Sequence, residues 1–506
     1  MHLSADITII GSGFAGSLTA LILKQLGFTL LIIDRGQHPR FAIGESSTPI
    51  AGYVLRELAE QYDLPRLVPL TKFGMWQAAC PDLMCGVKRG FSYFHHQSHA
   101  RFESERDHSG ELLVAASADD KSSELHWLRK DVDAFLFKEV CRAGIPCYEN
   151  TQIQSMTFDS QWKINAQGHC GSLEVDTKFV VDASGAATVV AQHCGVADRG
   201  DQCLTNSRAV FSHFQDVSSW QSKLDDWGFS PSDYPFPPDK AALHHLFEGG
   251  WMWNLRFLDG LLSAGFVLDR TRYPLEPEIS AADEWQTTLQ RFPSLQEQFA
   301  SGQLAEVPGD FIRTSRLQRR LERSTGNQWV ALPHTAGFID PLHSTGIAHS
   351  LCGVERLVEI IKLHWQRSSM TQALEKYEQV LQKEFTLIDL LVSGCYRSSH
   401  NFRLFAAFAM LYFAAATTYE RRRLEHGDDF KQAFLCADDE AFVAIVRKAH
   451  RRLQTYGQSG TPKSESIHEF ELEIRRSITP FNHAGLCDPS ARNMYRYTIA
   501  PNEHDS

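Results

Sequence analysis

Gly11-Ser12-Gly13-Phe14-Ala15-Gly16 is a glycine-punctuated turn of the kind that cradles a diphosphate. Gly11 permits a tight exit from the preceding apolar run, Gly13 lets the backbone come close to a pyrophosphate, and Gly16 lets a following helix pack tightly on a sheet. Asp34 stands 18 residues beyond Gly16, near the spacing of an acid that holds a ribose hydroxyl. Lys88, within Gly86-Val87-Lys88-Arg89-Gly90, carries an amine. Positioned and partly desolvated, such an amine is a nucleophile or a directed hydrogen-bond donor. A lysine beside an arginine is otherwise most often a solvated surface pair. Ser344-Thr345-Gly346 precedes an apolar-periodic stretch, so its backbone N–H groups open at a helix start, where an anion or a cofactor's ring oxygen could sit.

These residues need elements to hold them. Ile7 to Ile10 reads as a buried parallel strand, Leu18 to Leu26 carries helical spacing closed by Gly27, and Thr29 to Ile33 is a second strand ending at Asp34. A lone GxGxxG is weak; one set in strand–turn–helix–strand with a terminal acid is specific for a dinucleotide. A plain NAD unit would pass straight into another helix. Here a polar loop from Arg35 to Ser46 intervenes, and a helix starts near Ser47 to Pro49. That favours FAD. Three further segments fit it: Arg129 with Asp133 opening an amphipathic helix, the strand Phe179 to Asp182 running into Ala183-Ser184-Gly185, and Gly337 through Ile347. The expected FAD contacts are Gly11, Ser12, Gly13, Ala15, Gly16, Asp34, Arg35, Glu45, Ser46, Ser47, Arg129, Ile153, Asp182, Asp340, Gly346 and Ile347.

The fold class is therefore α/β, with a Rossmann-type FAD-binding domain made of residues 1–70, 125–200 and 305–360. Strand-like runs in 71–124 and 201–304 form an inserted substrate-side β-sheet region. Residues 361–506 form a C-terminal helical region, whose Phe-, Ala- and Met-rich stretch from Asn401 to Arg423 is either a core helix or a wall over an aromatic pocket.

A formal net charge of −11 argues against nucleic acid as a partner. Eleven cysteines, an odd number and without any CxxC pair, read as scattered reduced thiols rather than a metal site, and no metal is expected. The longest apolar run, Leu404 to Ala416, falls short of the roughly 20 residues a bilayer crossing needs. With no basic leader at the start, a cytoplasmic protein away from membranes is expected.

Taken together, these motifs resemble the flavin-dependent halogenases, within the FAD monooxygenases of the aromatic-hydroxylase type. Four stretches carry the resemblance: Gly11–Gly16 with the Pro39-Arg40-Phe41 and Gly44-Glu45-Ser46 loop; Cys85 to Tyr93; Leu243 to Trp253; and Gly337 to Gly346. The members acting on small phenols are the more similar subgroup. The resemblance implies that FADH2 from a separate flavin reductase reacts with oxygen, and that the resulting hydroperoxide oxidises chloride or bromide to hypohalous acid. Lys88 is then the catalytic residue, delivering halogen to a small aromatic substrate either as a chloramine or by hydrogen-bonding the hypohalous acid. Thr345 and Gly346 match the halide-binding step. Trp251, Trp253, His245 and Pro341 fall on the substrate or tunnel side. A homodimer is compatible with the sequence.

The chain departs from the family pattern in places. Trp251-Met252-Trp253-Asn254-Leu255-Arg256 matches the Trp-x-Trp-x-Ile-Pro box only at its tryptophans; proline would fix the backbone, whereas Arg256 adds a charge. On that ground an FAD monooxygenase without halogenation is the alternative. His343 stands where tryptophan-type members carry Glu. Ala331-Leu332-Pro333 replaces a Gly-Asp-Ala, which suits a weakly held FAD that exchanges as FADH2.

Overall fold

The first strand, His2–Ile10, is buried from Ile7 onward because it lies mid-sheet, in parallel between Leu30–Ile33 and Gly171–Asp182. This is a computed structural model describing residues 1–169, 171–229, 232–427, 432–459 and 463–496. An eight-stranded sheet grows from that centre, adding Cys147–Tyr148 on one side and Trp329–Ala331 and Thr325–Gly326 on the other. Trp162–Gly168 and Gln152–Phe158 continue it as an antiparallel flap. The helices Phe14–Gln25, Arg129–Arg142 and Gly346–His364 supply apolar cover for this sheet.

A nine-stranded, mostly antiparallel sheet forms the second layer, in the order Gln303–Leu304, Ser207–Gln215, Leu262–Asp269, Gly250–Arg256, Ala242–Phe247, Gly90–His95, Glu111–Ala115, Met494–Tyr495. Ile312–Arg313 pairs onto Ser207–Gln215. Two of these strands lie outside the segments expected to build this layer. Ile312–Arg313 comes from 305–360 and Met494–Tyr495 from the C-terminal region, both too short to show a period-2 pattern. Cys85–Lys88 belongs to neither large sheet; it forms a separate ribbon with Glu124–Trp127.

The C-terminal region is helical: Met370–Ser398, Phe402–His426, Glu440–Ser459 and Ser464–Ser477. Phe402–His426 is long and apolar enough to cross a membrane, but 94% of its most apolar window is buried inside the protein, so it is a core helix. Arg423 anchors it by pairing with Glu57 and Glu355. A buried Glu384 from Met370–Ser398 receives both His349 and Arg356, clamping that helix to Gly346–His364. The ten cysteines among the described residues are all free thiols.

Candidate active site

The diphosphate end follows from backbone geometry. Gly11 has φ +104° and a side chain there would meet the Ala183 carbonyl at 2.4 Å, so only glycine fits. A side chain at Gly16 would strike the Gly11 carbonyl at 2.1 Å. Gly13 differs: a β-carbon there would be 3.6 Å from Asp133 and 3.9 Å from Arg129, with nothing nearer. Its glycine therefore keeps open space beside a fixed cation rather than relieving a clash inside the protein. Arg129 is fixed by a bidentate pair to Asp133 at 2.8 Å, by the carbonyls of Ile43 and Gly44, and by stacking 4.7 Å over Phe14. An open backbone cradle with a preorganised guanidinium fits a diphosphate.

Asp34 sits at the tip of its strand as expected, but its carboxylate is already engaged. It accepts from the Ser12 N–H and hydroxyl at 2.7 Å, from Gly36 N–H at 2.8 Å, and from both Arg40 nitrogens. Burial alone would raise its pKa; Arg40 and these donors hold it down at about 2. Arg35 is exposed, and Arg40 is the cation on this acid. Ile153 lies two residues beyond Thr151, whose N–H donates to the Asp34 carbonyl. Asp182 does not present a free carboxylate. Its oxygens take Ser184 N–H, Ser184 Oγ and Val190 N–H, so it shapes the Gly185 turn. A strand-end aspartate followed by small residues reads the same way in either role.

Lys88 is 2% exposed. The glycines around it explain how. A β-carbon at Gly86 would lie 2.1 Å from the Arg256 carbonyl, and one at Gly90 would lie 2.0 Å from the Val114 carbonyl. Bare backbone at Gly86 lets this ribbon press against the large sheet, and at Gly90 it lets the strand that follows pack on its neighbour. Strand alternation turns Lys88 inward and Arg89 outward, where Arg89 bonds Ser117, Ala118 and Asp120. Lys88 Nζ donates to the Ser47 carbonyl at 2.5 Å and lies 4.1 Å over the Phe91 ring. Its cross-strand neighbour Glu124 is bonded to Lys72 instead, at 2.8 Å. Burial, only partly opposed by Glu124, brings the Lys88 pKa from 10.5 to about 7. This amine is partly neutral near neutral pH, which a nucleophilic amine requires.

Aromatic side chains wall this amine. Phe91, Tyr93 and His244 stack in a row, His244 lies 5.0 Å from Trp251, and Tyr412 meets Phe91 edge-on at 5.9 Å. His343 stacks on Tyr412 at 4.2 Å, buried and with its pKa lowered to about 3. Tyr93 Oη, His244 Nδ1 and His343 Nδ1 have no hydrogen-bond partner among the described residues. His245 lies elsewhere: it points to the opposite face, bonded to His96 and Asn254. One step along a strand reverses the side, so His244 takes the place expected of His245. The Arg256 side chain also faces away, donating to the Val217 and Ser218 carbonyls near the protein surface.

The two ends meet in the middle. Gly346 starts a 19-residue helix with no side-chain cap, and a β-carbon at Gly346 would meet nothing within 4 Å. Thr345 and Gly346 line a cavity of about 20 Å³ with Asp340, His334 and His349, room for one water-sized group. Ser344, before them, donates to Ser46 Oγ at 3.0 Å. Ser46 adjoins Ser47, whose carbonyl holds Lys88. Glu45 is buried with its carboxylate 3.1 Å from the His213 ring, while the Pro341 carbonyl accepts the Ser344 N–H in the turn leading to the helix. Trp251 and Trp253 lie on one strand face; Trp251 donates to Tyr396 and Trp253 to Ser263. His334, Tyr396, His244 and Tyr412 were not anticipated as site residues. Each is brought in by long-range packing, without a local signal.

The sequence profile of the tryptophan halogenase family matches residues 97–403, more than half of the chain. The chain belongs to this halogenase family. The tetracycline 7-halogenase of Kitasatospora aureofaciens is 28% identical over 97% of this chain and 90% of its own length. The monodechloroaminopyrrolnitrin halogenase PrnC of Pseudomonas fluorescens is also 28% identical, over 98% of this chain and 90% of its own. Among solved structures, the halogenase PltM in complex with phloroglucinol and FAD superposes with a TM-score of 0.85. It is 24% identical, covering 97% of this chain and 99% of that one. The chain is thus a flavin-dependent halogenase that uses FAD and halide. The alternative drawn from Arg256 loses its basis, because that side chain points away from Lys88 and the aromatic wall.

Proposed function

We propose that this halogenase transfers halogen from Lys88 to a small phenol held against Phe91, Tyr93, His244 and Tyr412. The observation that carries the proposal is a desolvated amine, lacking its own carboxylate partner, joined through Ser47, Ser46 and Ser344 to an uncapped helix start. The relative crystallised with phloroglucinol supports a phenolic substrate.

Gly11, Gly13, Ala15 and Gly16 would hold the FAD diphosphate with Arg129, while Gly185 and Ile347 would border the rest of the cofactor. A ribose hydroxyl reaches Asp34 only when Arg40 yields it. Reduced by a separate reductase, bound FAD supplies the two electrons with which oxygen turns chloride or bromide into hypohalous acid. Thr345 and Gly346 hold the halide with backbone N–H groups and the positive end of the helix, without metal. Lys88 then acts in one of two ways. As the free amine it attacks the halogen, forming an N–X bond and releasing water; attack by the ring carbon transfers X and returns the amine. As the ammonium it donates a hydrogen bond to hypohalous acid and directs it. A pKa near 7 makes both forms available, and the free amine predominates one unit above it. The unpartnered Tyr93, His244 and His343 atoms suit phenolic hydroxyls, since a buried polar atom gains most from a partner. The reduced thiols fit a cytoplasmic setting.

The test supplies the protein with FADH2, oxygen, bromide and a panel of phenols, and reads products by mass spectrometry. The paired isotope pattern of one added bromine is the expected result. A gain of one oxygen without bromine would reject the proposal.

A further inference from the structure

Asp340, one of the expected FAD contacts, has its carboxylate held by three protein donors. Oδ2 accepts from Ser207 Oγ at 2.7 Å and from the Tyr396 hydroxyl at 3.0 Å, and Oδ1 accepts from Leu342 N–H at 3.1 Å. The chain continues both ways. Trp251 Nε1 donates to Tyr396 Oη at 3.1 Å. Gln318 donates to Ser207 Oγ and to the Ile339 carbonyl, both at 2.8 Å, and accepts Ser207 N–H at 2.9 Å. One carboxylate therefore ties together the strand Ser207–Gln215, the tryptophan strand Gly250–Arg256, the helix Met370–Ser398 and the loop leading to Thr345 and Gly346.

We propose that Tyr396 is a positioning residue of the halide loop: its hydroxyl holds the Asp340 carboxyl group and fixes the 340–345 turn against Trp251. The idea rests on the halide reading of Thr345 and Gly346 above. Asp340 caps the turn at Leu342; the turn then places Ser344 at φ +50° and presents Thr345. An ionised Asp340 accepts its three donors; a protonated one gives up part of that hold. Burial raises its pKa to about 6, with Ser207, Tyr396, Leu342 N–H and Trp251 opposing. Cys395, from the same helix as Tyr396, and His343, which contacts Cys395, are titratable groups close by; burial keeps the first a thiol and the second neutral. On the cavity side Asp340 faces His334 and His349, the latter engaged by Glu384. No lysine, arginine or further carboxylate bonds Asp340 among the described residues. The Tyr396 hydroxyl is one of the donors that favour the carboxylate, so its removal moves the Asp340 titration upward.

The test is Tyr396→Phe beside Asp340→Asn. pH-difference infrared spectra of the flavin-free protein follow the protonated carboxyl band. That band should titrate near 6 in the wild type, about half a unit to one unit higher in Tyr396→Phe, and be missing in Asp340→Asn. In bromination assays Tyr396→Phe should raise KM for bromide about three- to tenfold, the worth of one hydrogen bond, with kcat at saturating bromide little changed. The acidic limb of kcat/KM for bromide should move up with the infrared value. An unmoved infrared titration, or an equal fall in kcat at every pH with KM for bromide unchanged, would overturn the proposal. If the wild type makes no brominated product, the halide reading fails by itself, and the infrared titration still decides whether Tyr396 governs Asp340.

Discussion

At the Gly11–Gly16 end, charges are matched inside the protein: Arg129 with Asp133, Asp34 with Arg40. At the Lys88 end they are not. Among the described residues Lys88 bonds only a carbonyl, Glu124 is taken by Lys72, and Tyr93, His126, His244 and His343 each leave a buried polar atom without a partner. The first end is held ready by rigid backbone and paired charge, which suits a cofactor that leaves and returns. In the second, a buried amine and buried polar side-chain atoms that bond no described protein group lie close together, which suits a site that bonds a polar substrate.

The comparison breaks most visibly at Lys88. Lys88→Met should lower halogenation by roughly 10³-fold or more, since it removes the transferring group. It should also stabilise the fold by about 1–3 kcal/mol at neutral pH by removing a buried amine. The folded pKa lies below the unfolded one, so the unfolded chain binds more protons between about 7 and 10.5. Wild-type stability should therefore rise with pH across that window. Thermal melts from pH 6 to 10 should show that slope in the wild type and a flatter one in Lys88→Met.

At the other end, the two glycines should separate. Gly13→Ala should keep its Tm but lose about 10²-fold in FAD affinity by flavin fluorescence, because its β-carbon fits the protein and intrudes only on the ligand. Gly11→Ala should melt early, since φ +104° and the Ala183 carbonyl both forbid it. A smaller effect is expected for Arg129→Lys. Losing the bidentate grip on Asp133 should weaken FAD by about tenfold in the same titration. The smallest belongs to Arg256→Ala, where halogenation should stay within about twofold because that side chain bonds the Val217 and Ser218 carbonyls and pairs with Asp239, facing away from the aromatic wall.

The difference between the two ends also governs how legible each was. The cradle could be read from sequence because its strand, glycine turn, helix and terminal acid follow one another without a break, even though Gly11 answers the distant Ala183 carbonyl and Gly13 faces Arg129 and Asp133. Lys88 could be placed only through its motif, since its burial depends on Gly86 meeting Arg256 and Gly90 meeting Val114, far along the chain. His244 was missed for His245 because adjacent residues of a strand differ only in phase. That phase is set by the pairing of Tyr93 with His244. Asp34 kept its place but not its freedom, as Arg40 reaches back across a loop. Tyr396 lies 56 residues from Asp340, near the C-terminal end of Met370–Ser398, with no pattern to mark it.

The most direct measurement follows hypobromous acid and brominated phenol together in Lys88→Met, supplied with FADH2, oxygen, bromide and a thioether trap. The account predicts bromide-dependent oxidation of the trap at near wild-type rate while brominated phenol all but disappears. Brominated phenol formed at the wild-type rate would contradict it, and halogen transfer would then belong to another group.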